Sequence, residues 1–200
     1  MIDKTQIELN KEVMNNIKLT IQETLILKSI ESFYINNMNG IEFINIINSH
    51  TKISIRLIDY FITKYSKLHK ISYKHNDQVT NIYTSYKQQL KSYQKKHFDP
   101  FSRGCRIPYF INDTCIITTI GQLNFFKWFI SKNLFEYIIN NQNIIENEMN
   151  HKNRIDKNIH KIKKNIHKIK KNKISLYNKN IPYICDNNCT NNRNVVVYFN

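Results

Sequence analysis

Residues 107–130 read IPYFINDTCIITTIGQLNFFKWFI, and two structural periods meet inside this stretch. Ile107 to Ile111 and Cys115 to Thr118 run at period two around Asn112-Asp113, a pair suited to a tight turn, which predicts two short strands joined as a hairpin. A turn at those residues sets Phe110 opposite Cys115. Pro108 lacks the amide hydrogen that a central strand needs, so the first strand is an edge. Thr118 or Thr119 then caps a helix carrying Ile120, Leu123, Phe126, Trp128, Phe129 and Ile130. With Phe125 added, apolar groups occupy both sides of this helix, which points to core packing over a base-stacking platform. A shorter helix over Leu134–Ile139 follows, with Asn133 as its cap.

Working outward, ISIRLIDYFITKYSKLHK (53–70) is the clearest helix. Ser54 is its N-cap, Ile55, Ile58, Ile62 and Tyr65 form a stripe, and Leu57, Phe61 and Leu68 widen it into a buried face. Residues 78–98 predict another helix, with Ile82, Tyr83, Tyr86, Leu90 and Tyr93 along one side. Residues 5–36 show a helical rhythm in Ile7, Val13, Ile17, Ile21, Leu25 and Ile26, with Glu8 and Glu12 early, where acids suit a helix start. Asn36-Asn37 and Asn39-Gly40 break that rhythm before a small helix over Ile41–Ile47.

The fold class that follows is mainly α with a small β-hairpin (α+β): a helical core domain plus a basic, largely disordered C-terminal tail. The expected organisation is an N-terminal helical extension over 1–48 and a core domain over 49–146 with its hairpin near 107–118. A basic low-complexity tail over 147–194 and a terminal strand over 195–200 complete it. That strand, built on Val195-Val196-Val197-Tyr198-Phe199, is expected to join the hairpin, or else to augment a partner's sheet.

The 200 residues carry 30 Lys+Arg against 15 Asp+Glu, a formal net charge of +15. Composition alone argues little, because 35 Ile, 30 Asn and 25 Lys with no Ala match a bias toward A/T-rich codons. Distribution argues more. Residues 1–50 are net −2, 51–110 net +9, 111–150 net −2 and 151–200 net +10. Base bias acts evenly along a chain, whereas crowded like charges repel unless a polyanion neutralises them.

Within the first basic block, Lys87, Lys91 and Lys95 recur at i, i+4 and i+8 with Lys96 beside them, and no acid lies between Asp77 and Asp99. Like charges at that spacing cost about 0.2–0.5 kcal/mol per pair, so the row favours a nearby anion, of which phosphate is the common one. Arg103 and Arg106 follow, suited to forking onto phosphate or guanine edges. In the second block NIHKIKK repeats from Asn158 to Lys171. Ile155, Ile159, Ile162, Ile166 and Ile169 step by four and three, a heptad seam of barely two heptads. Lys161, Lys163, Lys164, Lys168, Lys170 and Lys171 crowd around it, so helix is expected there on contact with an anion or partner. An anionic membrane surface and plain solvation are the competing readings of this tail.

Enzyme motifs are missing. The three glycines lie in NMNGIEF, SRGCRI and TTIGQLN, from which neither a P-loop nor a dinucleotide fingerprint can be built. No acid precedes Lys by two residues, and G-x-S-x-G, H-E-x-x-H and C-x-x-C are absent. His97 and Asp99 are the one tight acid/imidazole pair, and Asp99-Pro100 reads as a helix stop. Cys105, Cys115, Cys185 and Cys189 lack zinc-finger spacing. The sequence therefore predicts no catalytic residue, no metal and no cofactor. It shows no secretory signal, and its longest uncharged apolar stretch, Thr114 to Phe126, falls short of the about 20 residues that span a bilayer.

KISIRLIDYFITKYSK, SYKQQLKSYQKKHFDPFSRGCRI, TTIGQLNFFKWFI and the terminal NVVVYFN together resemble an uncharacterised protein family of nucleocytoplasmic large DNA viruses, the giant viruses. The resemblance covers roughly residues 42–140 and the last few. It implies a viral setting inside the host cell, in a cytoplasmic factory or the virion, and no assigned activity. Relatives in that family often carry Cys where this chain has Ser102, so the resemblance gives that loop no thiol or metal role here.

The functional expectation is a non-enzymatic, basic nucleic-acid-binding protein in a viral replication, transcription or genome-packaging setting. Its partner would be the phosphate backbone of DNA or RNA, with viral proteins as further partners. The alternative is a structural or adaptor protein of the virion that contacts other proteins through its aromatic region and C-terminal strand.

Overall fold

The structure is a computed structural model that describes residues 5–35, 37–48, 51–75, 78–112 and 114–179. The chain divides into two compact units, Met1–His151 and Lys152–Asn200.

In the first unit, Thr5 opens α1 (Gln6–Asn15) and Thr20 opens α2 (Ile21–Tyr34), each through a capping box with Glu8 or Glu23. The second box divides the helical rhythm of residues 5–36 into two helices. It also turns Ile21 and Leu25 to solvent while Ile26, Leu27 and Ile30 are buried. Helix α3 (Asn37–Ile47) begins earlier than expected, running through Gly40. A Cβ on Gly40 would meet the Ile111 side chain at 2.3 Å, so α3 lies tight against the hairpin because this position has no side chain.

Ser54 accepts from the Leu57 N–H and starts α4 (Ile55–Tyr60), which passes through a π-helical stretch, Phe61–Tyr65, into α5 (Ser66–Leu68). Within that stretch and just after it, the Thr63 and Ser66 hydroxyls donate to the carbonyls of Asp59 and Ile62, both at 2.7 Å. A hairpin that the sequence reading did not anticipate comes next. Strand β1 (Ser72–His75) pairs antiparallel with β2 (Gln78–Asn81), and Ser72 faces Asn81. The sign for it is Asn76-Asp77 between SYKH and QVTN.

Asn81 caps α6 (Ile82–His97), so the helix expected over 78–98 starts after a strand. The second hairpin, β3 (Arg106–Ile111) with β4 (Thr114–Thr119), has the predicted register, with Phe110 opposite Cys115. Asn112 takes a left-handed φ of 51° at its turn. Thr119 caps α7 (Ile120–Ser131) as predicted. Asn133 does not cap the next helix. It takes a φ of 50°, and its N–H donates to the Ile130 carbonyl, closing α7 instead. Helix α8 (Leu134–Lys179) extends far beyond the short segment expected, with a break at Asn141.

The fold is thus mainly α with small antiparallel hairpins, and α7 is its axis. Leu123, Phe125, Phe126 and Phe129 are buried, packed with Tyr34, Phe43, Phe98 and Trp128 in a chain of edge and tilted ring contacts. Each such ring removes roughly 150–250 Å² from water, and that burial fixes the helix on both sides. The first 48 residues, expected as an extension, contribute Ile30, Tyr34, Phe43 and Ile46 to the same core. The amphipathic faces of α2 and α3 have nowhere else to bury, which makes them part of the domain.

In the second unit, residues 152–179 are helical and every side chain from Arg154 to Ile169 is exposed. The isoleucines of the heptad seam are 43–58% exposed. The terminal strand expected over 195–200, together with Cys185 and Cys189, lies outside the described residues.

Candidate nucleic-acid interface

Helix α6 presents its apolar side inward. Ile82 is buried, and the Ser85 hydroxyl receives the Trp128 indole N–H at 3.2 Å. Tyr86 lies against Trp128 and Phe98. That packing turns Lys87 and Lys91 outward, one helical turn apart, where they line a shallow groove with Thr84, Gln88 and Leu90. Neither has a carboxylate within ion-pair distance among the described residues.

The predicted row does not continue to Lys95. Gln94 has φ 58° and ψ 173°, which breaks the helix before Lys95 and Lys96. A non-glycine residue there costs on the order of 1–3 kcal/mol. The compensation is visible in Phe98, which the break delivers into the aromatic core at 5.3 Å from Phe125 and 5.7 Å from Trp128, centroid to centroid.

Beyond the break Lys95 and Lys96 meet Arg103 in a second place. The three cations line one cavity of about 310 Å³ with Asp99, Phe101, Gly104, Thr119 and Gly121. Charge there is partly balanced. Arg103 forks onto Asp99 at 2.6 and 2.8 Å while lying over the Phe101 ring, and Lys96 reaches Glu23 at 3.0 Å. Both cations remain well exposed, at 68% and 65%. Asp99 raises the guanidinium pKa of Arg103 further, so its charge is permanent. Arg106 is exposed at the start of β3.

The segment from His97 to Pro100, which carries Asp99, is held by buried amides that the sequence reading missed. Gln122 donates to the Pro100 carbonyl at 2.8 Å and accepts from Thr118 and Ser102. Asn124 donates to the His97 carbonyl at 2.9 Å. His97 is buried and pairs with Glu23 at 3.1 Å, so His97 and Asp99 are separately committed and do not form a dyad. The Glu23 carboxyl is held down at about 2 by the Thr20 backbone N–H, then Lys96 and His97. No sequence signal joins residues 74 positions apart; the capping box alone singles out Glu23.

In the second unit Lys161, Lys163, Lys164 and Lys168 are exposed on α8, and the side chains of Lys170 and Lys171 lie outside the described residues. Cys105 and Cys115 are exposed free thiols. Among the described residues no cluster of three His, Cys, Asp or Glu is placed to hold a metal ion, and no helix is long and apolar enough to cross a membrane.

Fold and composition together define a strongly basic, mainly helical protein. The chain belongs to a family of unknown function (DUF7197), whose model matches residues 5–198. It is similar to "Uncharacterized protein L507" of Acanthamoeba polyphaga mimivirus, with 34% identity over 154 residues, 72% of this chain and 60% of that relative. The chain thus spans about 60% of the length of the curated relative it matches. No solved structure matches it.

Proposed function

We propose that this protein binds nucleic acid through its phosphate backbone, without catalysis, in a viral replication, transcription or genome-packaging setting inside the host cell. The observation that carries the reading is the segment 87–106. Lys87 and Lys91 stand outward and unpaired among the described residues, and Lys95, Lys96 and Arg103 converge on one cavity a few residues later. Asp99 and Glu23 orient Arg103 and Lys96 without burying them. A phosphate at the cavity mouth gains charge-assisted hydrogen bonds from groups already held in place. Arg106 and the α8 lysines add attraction that reads no sequence.

The test is a salt titration of binding to a fluorescent duplex. Log affinity should fall linearly with log salt, at about −0.9 per phosphate contact. Lys87→Gln with Lys91→Gln should flatten that slope by roughly two contacts. An unchanged slope removes α6 from the interface.

The exposed isoleucines of α8 favour a second reading, a structural or adaptor protein of the virion, because an apolar stripe of this kind is usually covered by another protein. Abundance in purified particles separates the two.

A further inference from the structure

The second unit carries an apolar row that phosphate binding leaves unused. Its residues 152–179 form one helix, and every side chain from Arg154 to Ile169 is exposed. Ile155, Ile159, Ile162, Ile166 and Ile169 recur at steps of four and three. At 3.6 residues per turn those steps gather them into an arc of about 80°. Each is 43–58% exposed. Lys157, Lys161, Lys164 and Lys168 repeat the same steps on the opposite side of the helix. From Lys157 to Lys173 the sequence holds eight lysines and no acid. None of these four lysines has a carboxylate within ion-pair distance among the described residues.

Whatever covers this helix has to satisfy both rows. A nucleic-acid backbone neutralises the lysines and offers the isoleucines nothing apolar. A second copy of the helix covers the isoleucines, but it doubles an unbalanced positive charge. It also has barely two heptads to work with, where coiled coils sustain three or four. A partner protein would need an apolar face edged with carboxylates over the same short length. An anionic bilayer supplies an acyl boundary and negative charge together. The helix is about 10 Å across, so even the far lysine row lies within about one Debye length of the headgroups. It is not apolar enough to cross the bilayer, so it would lie in the plane of the surface.

We propose that the α8 segment 152–179 binds an anionic lipid surface, with its five isoleucines at the acyl boundary and its lysines drawn to the headgroup charge. The proposal uses no residue of the basic segment 87–106, so it stands whether or not that segment binds nucleic acid.

The experiment is flotation of the full chain with unilamellar vesicles, either phosphatidylcholine alone or phosphatidylcholine and phosphatidylserine in equal parts. Binding to the mixed vesicles is expected to be at least about tenfold tighter than to phosphatidylcholine. Ile162→Gln with Ile166→Gln should weaken it by about tenfold or more, and should leave duplex affinity unchanged because no charge is removed. Both positions are exposed and glutamine favours helix, so the pair keeps the fold. Lys161→Gln with Lys168→Gln should also weaken vesicle binding and make it less sensitive to salt. No binding to mixed vesicles, equal binding to both kinds, or binding unmoved by the isoleucine pair overturns the proposal. Light scattering without vesicles should give the native chain and the isoleucine variant the same mass. An oligomer that the variant dissociates would place a second copy on the seam and overturn the proposal as well.

Discussion

The side-chain amide of Asn10 pairs with the backbone of Phe110 as a neighbouring strand would. Its Nδ2 donates to the Phe110 carbonyl at 2.9 Å, and its Oδ1 accepts from the Phe110 N–H at 2.7 Å. One helical turn earlier, Gln6 Oε1 accepts from the Asn112 N–H at 2.9 Å. Two amides spaced i and i+4 thus let α1 close the outer edge of β3, the edge that Pro108 already marks. An open edge is a template for pairing with other chains, and α1 blocks it with side chains in place of a third strand.

Asn10→Ala should therefore cost about 2–3 kcal/mol, since it removes two hydrogen bonds and leaves buried backbone groups unmet. Urea denaturation measures the loss. Hydrogen exchange localises it, with the Phe110 amide losing protection while that of Ile111, bonded within the hairpin, retains most of its own.

Gly121 is where α7 approaches the end of α6. A Cβ there would lie 2.9 Å from the Lys96 carbonyl and 3.4 Å from the Phe98 nitrogen, both backbone atoms that cannot swing aside. Gly121→Ala should destabilise by about 1–3 kcal/mol, the usual range for overpacking. The displaced backbone carries Lys96, so duplex affinity should fall even for the folded fraction. Thermal denaturation and the salt titration together check both effects.

Glu23 joins the Thr20 cap, Lys96 and His97. Its carboxyl sits at about 2, below the ordinary 4.5, first through the Thr20 backbone N–H. A carboxyl lowered on folding contributes stability fully above the unfolded value and loses it as pH falls through the folded one. The difference in unfolding free energy between the native chain and Glu23→Gln should be roughly 2 kcal/mol or more at pH 6 and should narrow between about pH 4.5 and 2. A gap of constant size across that range would mean that the ionised carboxylate is not the stabilising form.

What was legible in the sequence was local. The register of Phe110 on Cys115 and the caps at Ser54 and Thr119 follow from turn residues and periods within a few positions of each other. The apolar density of 125–129 identified the core helix. Links set by packing at a distance were not legible. The Glu23–His97 pair, the Asn10–Phe110 pairing and the Gln122 and Asn124 amides join segments from 22 to 100 positions apart. The lysine row failed at Lys95 for the same reason. Helical spacing is a local rule, whereas the Gln94 break answers to the distant pocket that takes Phe98.

Asp59 is the acidic counterweight of the candidate interface. It stands at the entrance to the π-helical stretch, and burial pushes its carboxyl up. The Asp99 charge adds to this, while Arg103, Lys64 and Lys95 oppose it. A carboxyl raised on folding makes the native state bind its proton more tightly than the unfolded chain, so stability falls as pH rises through the native value. Asp59→Asn removes that cost without changing side-chain size. At pH 7 it should raise stability, an advantage that disappears in acid, where the native carboxyl is already protonated. The same substitution takes one negative charge from the surroundings of Arg103 and Lys95, so duplex affinity at low salt should rise about twofold and converge with the native value as salt screens the field. Stabilisation without an affinity gain would separate Asp59 from the interface. A loss of both would mean that the ionised form of Asp59 holds the π-helical stretch in place.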